Sequence, residues 1–134
     1  MATRKPTSQS LHDRVIEERA KAWRTDDRVD KEKVYINPGQ TKGAHYTVDG
    51  GEVYPDLIVG LKDGAWVVEE VETADSVNDA ELVQWTKFAQ IGVSFNLLVP
   101  QESAGRARSL VQNLAAVAVR TYSVAGTSIT FNKN

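Results

Sequence analysis

The sequence predicts an α/β fold in which a central mixed sheet is flanked by helices. Three observations lead to this prediction. Short apolar runs at 54–59 and 66–72 are separated by Lys62-Asp63-Gly64, which is typical of the two strands of a hairpin. Apolar residues recur at helical spacing over about 10–25 and 77–90. A continuous apolar run at 93–99 follows the second helix, and this order indicates a buried strand parallel to an earlier one.

The N-terminal part is predicted to contain one helix and one strand. Residues 1–9 are polar and are expected to form a flexible tail, so that a single domain covers 10–134. The first helix is expected to begin near Ser10, a suitable N-cap, because apolar residues follow at intervals of three and four. A first strand is expected at 28–36, followed by a loop or flexible hairpin at 40–51.

The C-terminal part is predicted to alternate helices and strands. The second helix should bury its apolar side chains and end before Gly92. After the strand at 93–99, a third helix is expected at about 102–116. The stretch 117–131 is rich in Val, Thr and Tyr, with Ala125-Gly126 in its middle, and indicates one strand with a short hairpin partner.

Composition excludes several classes of site. The chain has no cysteine, which rules out disulfides, thiolate zinc sites and a cysteine nucleophile. Its hydrophobic content of 41% and charged content of 25% are those of a globular protein in water. No apolar run has the length of a membrane span, so a cytoplasmic protein without membrane contact is expected.

Three acidic residues fall at the ends of the predicted hairpin strands. They are Asp56 in the first strand and Glu70 and Glu72 in the second. Because strand side chains alternate between faces, Glu70 and Glu72 share one face, whereas Glu69 points to the other. Carboxylates this close repel one another unless a positive charge lies among them. A divalent cation such as Mg²⁺, which prefers oxygen ligands, provides that charge.

Pro55-Asp56 followed by Glu70-Val71-Glu72 resembles the active-site motif of the PD-(D/E)xK nuclease superfamily. The predicted order of elements also resembles that superfamily's restriction-endonuclease-like α-β-β-β-α-β core, here with an added C-terminal helix and strands. Gln84, with Phe88 four residues later, is similar to the Gln-x-x-x-Tyr motif of its RecB-type branch. The sequence departs from the pattern at Glu72, which stands where the superfamily usually has Lys.

The resemblance implies a metal-dependent nuclease that hydrolyses DNA phosphodiester bonds and is structure-specific or recruited by a partner. Asp56 and Glu70 would be the primary ligands of Mg²⁺ or Mn²⁺, with the carbonyl group of Val71 completing the inner shell. Glu72 would position or deprotonate the attacking water, or hold a second metal. The resemblance to small nucleases also implies a homodimer as one arrangement that could span DNA.

Helix-borne residues are further candidates for the same site. Glu18 on the first helix would be an additional metal ligand, unless it pairs with a neighbouring arginine at the edge of the helix face. Gln84 on the second helix would contact a phosphate or a water molecule. Lys87 could supply the positive charge that the superfamily's motif Lys usually provides. The alternative is that Lys87 is an ordinary exposed lysine.

Contacts with nucleic acid are expected from the loop before the Asp56 strand. Lys42, His45 and Tyr46 are candidates for phosphate contact or base stacking, unless this loop is an ordinary connection. Residues 1–42 carry a net charge of +3 and residues 43–134 a net charge of −5. A basic first helix beside an acidic metal site suits DNA cleavage, although a solvated helix face explains the same charges.

Two non-enzymatic alternatives remain open at the level of sequence. The fold could serve as a catalytically inactive module for nucleic-acid binding or assembly. Alternatively, the chain could be a purely structural protein in which the glutamates lie at an exposed strand end. That last interpretation predicts that Glu70 is solvated and far from Asp56.

Overall fold

The computed structural model describes residues 6–37 and 45–132 and has the predicted α/β architecture. Its helices are α1 (Pro6–Arg24), α2 (Leu82–Ala89) and α3 (Ala104–Leu110). Its strands are β1 (Val29–Ile36), β2 (Tyr46–Val48), β3 (Gly51–Val53), β4 (Leu57–Leu61), β5 (Trp66–Val71), β6 (Ser94–Pro100), β7 (Val117–Ala125) and β8 (Ser128–Phe131). Among the described residues, no helix is long and apolar enough to cross a membrane.

Six strands form a mixed sheet in the order β1-β4-β5-β6-β7-β8, and β2 and β3 form a separate two-stranded hairpin. β1, β4 and β5 pair antiparallel, whereas β5, β6 and β7 pair parallel. The hairpin predicted at 54–72 and the parallel strand predicted at 93–99 are therefore confirmed. β8 returns antiparallel to β7, which confirms the predicted C-terminal hairpin.

The two faces of the sheet are covered by different helices. On one face, α1 buries Val15 and Ile16 against Leu57 and Val71 of the central strands. On the other face, α2 and α3 pack over the sheet. The cluster there is formed by Ile58, Val68, Val77, Trp85, Phe88, Phe95, Leu97, Val99, Ala107 and Val111. Burial of this apolar area, at roughly 25 cal/mol per Å² removed from water, is the main force that holds the layers together.

The helix boundaries differ from the sequence predictions. α1 begins at Pro6 and not near Ser10, so the predicted flexible tail is wrong for 6–9, and residues 1–5 lie outside the described part. Proline suits the first turn of a helix because its missing N–H has no helical partner there. The Gln9 side chain also donates to Asp13 Oδ1 at 2.9 Å one turn later, which supports the additional turn.

The second and third helices are shorter than predicted. Two 3₁₀ turns, Ala74–Ser76 and Asp79–Glu81, precede α2 in place of its predicted first turn. The Asn78 side chain accepts a hydrogen bond from the Ala80 N–H, and this local bond favours a tight turn over a helix start. α3 ends at Leu110, six residues before Ala116, which has a φ of 64° and leads the chain into β7.

Candidate metal site

Asp56 and Glu70 meet where β4 begins and β5 ends. The antiparallel register pairs Leu57 with Glu69, so Asp56 lies beside Glu70 on the neighbouring strand. The Asp56 N–H donates to Glu70 Oε1 at 3.2 Å, and the Val71 N–H donates to Asp56 Oδ2 at 2.8 Å. Both residues are buried, with 7% of Asp56 and 5% of Glu70 exposed. The hairpin thus brings together two acids that are fourteen positions apart in sequence.

The electrostatics of this pair favour the addition of a positive charge. Burial raises the pKa of Glu70 well above its ordinary value, and the negative charges of Asp56 and Glu72 raise it further. The backbone N–H of Asp56 acts in the opposite direction but does not reverse the shift. Glu70 is therefore neither solvated nor far from Asp56, and the interpretation as an exposed structural strand end is wrong.

Histidine 12 reaches the acids from α1. Its Nε2 lies 3.0 Å from Asp56 Oδ2, and its Nδ1 lies 3.0 Å from Asp13 Oδ1. The ring is 4% exposed, because Val15 and Ile16 on the same helix anchor this face of α1 to the sheet. The sequence alone favours a packed or surface position for His12. Its separation of 44 positions from Asp56 hides the contact, and only the packing of α1 reveals it.

Glu72 is fully buried and is held on the face of the sheet that α2 covers. Its carboxylate accepts hydrogen bonds from Ser76 Oγ at 2.6 Å and from Trp85 Nε1 at 2.8 Å. Tyr122 donates its hydroxyl to the Glu72 carbonyl at 2.7 Å. These contacts fix the carboxylate, and its charge still acts on Glu70. Glu72 therefore acts on the pKa of Glu70, while its own carboxylate is engaged by Ser76 and Trp85.

The two predicted site residues on α2, Gln84 and Lys87, differ in exposure. Gln84 Oε1 is buried, and no residue in the described part of the chain donates a hydrogen bond to it. A buried acceptor without a donor is destabilising, so this oxygen is suited to a ligand, a cation or a water molecule. Lys87, in contrast, is exposed, as the alternative interpretation of that residue expected.

The remaining predicted site residues lie at the surface or outside the described ranges. Glu18 is 42% exposed in its side chain and pairs with Lys21 Nζ at 2.9 Å, which makes it a surface ion pair on α1. His45 lies 3.7 Å from Glu52, on the hairpin that β2 and β3 form. Tyr46 is half-buried, and burial raises the pKa of its hydroxyl. Lys42 lies outside the described residues.

A further buried carboxylate, Glu69, lies on the α1 face of the sheet. Arg19 donates to both of its oxygens at 2.8 and 2.7 Å. Trp23 Nε1 and Asn96 Nδ2 each donate at 2.8 Å. The predicted opposite orientation of Glu69 is confirmed. The four donors were not predicted, because they come from α1 and β6, which are far from Glu69 in sequence.

The donor set agrees with a hard divalent cation. Asp56 and Glu70 supply carboxylate oxygens, and Mg²⁺ is commonly held by one or two carboxylates together with waters and substrate phosphates. Within 6–37 and 45–132, no three His, Asp or Glu side chains are already arranged as a metal-binding group. Asp56 and Glu70 would supply two carboxylates to such a site, with further positions left to water, substrate and a carbonyl oxygen.

Comparison with known proteins shows a distant similarity to solved structures. Neither a protein-family profile nor a curated protein sequence matches the chain. Among solved structures, SfsA from Pyrococcus furiosus in complex with Ca²⁺ aligns with 94% of this chain at 11% sequence identity and a TM-score of 0.46. The alignment covers 62% of SfsA, so the chain spans less than two thirds of that protein. Similarity of this extent does not indicate a shared activity.

Proposed function

We propose that this protein is a metal-dependent nuclease that hydrolyses DNA phosphodiester bonds, with a restriction-endonuclease-like core of the PD-(D/E)xK type. The observation that carries the proposal is the buried pair of Asp56 and Glu70, in which burial and neighbouring negative charge raise the pKa of Glu70. The arrangement of this pair on antiparallel neighbours, with Glu72 two positions later, agrees with the sequence motif. Two neighbouring buried acids lower the stability of the fold, because their carboxylates lose hydration, so stability alone does not account for them.

Asp56 and Glu70 would hold Mg²⁺ or Mn²⁺, and the carbonyl group of Val71 would complete the protein's contribution. The bound cation would polarise the phosphate and favour ionisation of the attacking water. The chain orients Asp56 for this role through the Val71 N–H and His12, which both contact Oδ2. His12 is also a candidate ligand, since imidazole nitrogens bind divalent metals when neutral. Glu18, on the same helix, would bind the cation only if its ion pair with Lys21 were broken.

Other residues would act on the water and the phosphate. Glu72 occupies the position of the motif Lys, and Ser76 and Trp85 fix its carboxylate as an acceptor for a water proton. Gln84 would use its free buried oxygen to accept a hydrogen bond from that water or from substrate. Lys87 would contribute a mobile positive charge toward the phosphate from the exposed side of α2, and Lys42, His45 and Tyr46 would contact the nucleic acid.

The experiment that tests this proposal is a cleavage assay in Mg²⁺ or Mn²⁺ with single-stranded, duplex, flap and four-way-junction DNA. Asp56→Asn and Glu70→Gln keep side-chain size and remove the ligand charge, so each should abolish cleavage while the fold is retained. Glu32→Gln is the matched control, because Glu32 is an exposed acid of the same sheet on β1. Cleavage that persists in both site variants would refute the proposal.

A second candidate is a nuclease-fold module that binds nucleic acid or supports assembly without catalysis. One observation favours it: both oxygens of Glu72 already accept hydrogen bonds from Ser76 and Trp85, and no lysine stands at that position. This candidate predicts that DNA remains uncut in every metal condition. It also predicts that thermal stability does not respond to divalent cations.

A further inference from the structure

Three neighbouring side chains on β1 and β5 combine aromatic and cationic groups, and we name them the aromatic platform: Tyr35, Trp66 and Lys33. The rings of Tyr35 and Trp66 stack with centroids 6.4 Å apart and planes inclined by 23°. Lys33 Nζ lies 5.8 Å from the Trp66 ring centroid. Tyr35 is 41% exposed, a high value for a large aromatic residue.

Glycine 60 makes the platform compact. A Cβ atom at this position would lie 2.8 Å from Lys33 Cβ and 3.1 Å from Trp66 Cζ3. The distance to Lys33 is shorter than a Cβ atom tolerates and the distance to Trp66 is tight, so a side chain at position 60 would displace Lys33. Because Gly60 has no side chain, the side chains of Lys33 and Trp66 can approach each other above β4.

The platform lies on the same face of the sheet as Glu70. Tyr35 pairs with Ile58, and Ile58 pairs with Val68, so these three side chains point to one face. Trp66, Val68 and Glu70 then alternate along β5 and share this face. At about 3.3 Å per residue, Trp66 and Glu70 are about 13 Å apart along the strand. Val68, between Trp66 and Glu70 on this face, is buried in the cluster under α2 and α3, so packed core separates the platform from the acids.

The chemistry of the platform matches that of single-stranded nucleic acid. Cross-strand packing accounts for the contact between the two rings, but it does not require an exposed tyrosine. Exposed aromatic faces beside cationic side chains bind unpaired bases by stacking and phosphates by charge. Lys31 and Lys33 are both exposed on β1. The ion pair of Lys33 with Asp30 is loose, at 3.7 Å, and an exposed pair of this kind contributes little.

We propose that the aromatic platform binds single-stranded nucleic acid. This inference names the substrate class of the proposed nuclease and rests on that function for the fate of the bound strand. Binding to the platform itself does not need a metal, because no acid of the candidate metal site takes part in it. The two proposals can therefore fail separately.

The test is fluorescence anisotropy of a labelled oligothymidylate with the full chain in EDTA, compared with the same oligonucleotide as a duplex. Tyr35→Ala should weaken single-strand binding at least about fivefold, since it removes one stacking surface. Tyr35→Phe should bind as the wild type does. Lys33→Gln should lower the slope of log K against log salt by about 0.7, the effect of one lost phosphate contact.

Matched controls separate the platform from general effects. Val124→Ala removes an exposed apolar side chain from β7, where Val124 is 44% exposed, and Lys21→Gln removes one positive charge from α1. Both should bind the single strand as the wild type does, and thermal unfolding should show that every variant is folded. Wild-type affinity in Tyr35→Ala, an unchanged salt slope in Lys33→Gln, or tighter binding of the duplex would overturn the inference. Asp56-dependent cleavage with no effect of Tyr35→Ala would leave the nuclease proposal intact and refute only the platform.

Discussion

The contact between Arg19 and Glu69 should be one of the strongest single determinants of stability. Glu69 is fully buried, and the Arg19 guanidinium donates to both of its oxygens with only 17% of its own side chain exposed. Arg19→Met keeps an apolar stem of similar length but removes both charged donors. Glu69 would then keep only the neutral donors of Trp23 and Asn96. Breaking a buried pair in this way costs about 3–5 kcal/mol.

Thermal and urea unfolding followed by circular dichroism measure this loss. For a chain of this length, about 4 °C of Tm corresponds to each kcal/mol, so a decrease of about 12–20 °C is expected. The double variant Arg19→Met with Glu69→Gln should recover part of the loss, because a neutral side chain no longer needs the guanidinium. Arg14→Met is the control on α1, since Arg14 makes an exposed bond to the Thr127 carbonyl.

Two outcomes would refute this reasoning. Arg19→Met could lie within about 1 kcal/mol of the wild type, which is the range of exposed ion pairs. Alternatively, the double variant could be less stable than the single one, which would show that the carboxylate charge is not the cause. The result also bears on the candidate site, because α1 carries His12 two turns before Arg19 and holds it against Asp56.

Two further predictions concern the acids themselves. Trp85→Phe removes a donor from buried Glu72 and should destabilise the protein by about 1.5–3 kcal/mol in urea unfolding; a loss below about 0.5 kcal/mol would contradict this role. The pKa of Glu70 is raised in the folded state above the ordinary value of 4.5, so the unfolded chain releases this proton at lower pH than the folded one. The Glu70 contribution to the free energy of unfolding should therefore be complete below about pH 4.5 and decrease as the pH rises through the folded pKa. Glu70→Gln should lack this decrease when its urea unfolding is compared with that of the wild type across the same pH range. The same pH dependence in both proteins would show that Glu70 is not its source.

Much of the fold follows from local patterns in the sequence. The Asp63-Gly64 turn and the flanking apolar runs define β4 and β5, and the apolar run after Gly92 defines β6. These signals are strong because turn chemistry and alternation act over few residues. The helix boundaries were less predictable. The extra turn of α1 at Pro6 and the 3₁₀ turns before α2 depend on individual side-chain bonds, such as that from Asn78 to Ala80.

The candidate site was predictable only in part, for the same reason. The acids follow from strand alternation and the spacing of a hairpin, which are local. His12 and the Arg19–Glu69 pair depend on how α1 packs across the sheet, 44 and 50 positions away in sequence. No periodicity encodes such pairings. The burial of Glu72 under Trp85 likewise depends on the placement of α2 over β5.

Divalent-cation-linked thermal stability tests the central claim most directly. At a Mg²⁺ or Mn²⁺ concentration about 100 times its Kd, binding to the folded chain should stabilise it by about 2.7 kcal/mol, or about 10 °C in Tm. Glu32→Gln should show the same increase, and Asp56→Asn should show none. A wild-type Tm that does not change with either cation, or an equal increase in Asp56→Asn, would contradict a metal site at Asp56 and Glu70.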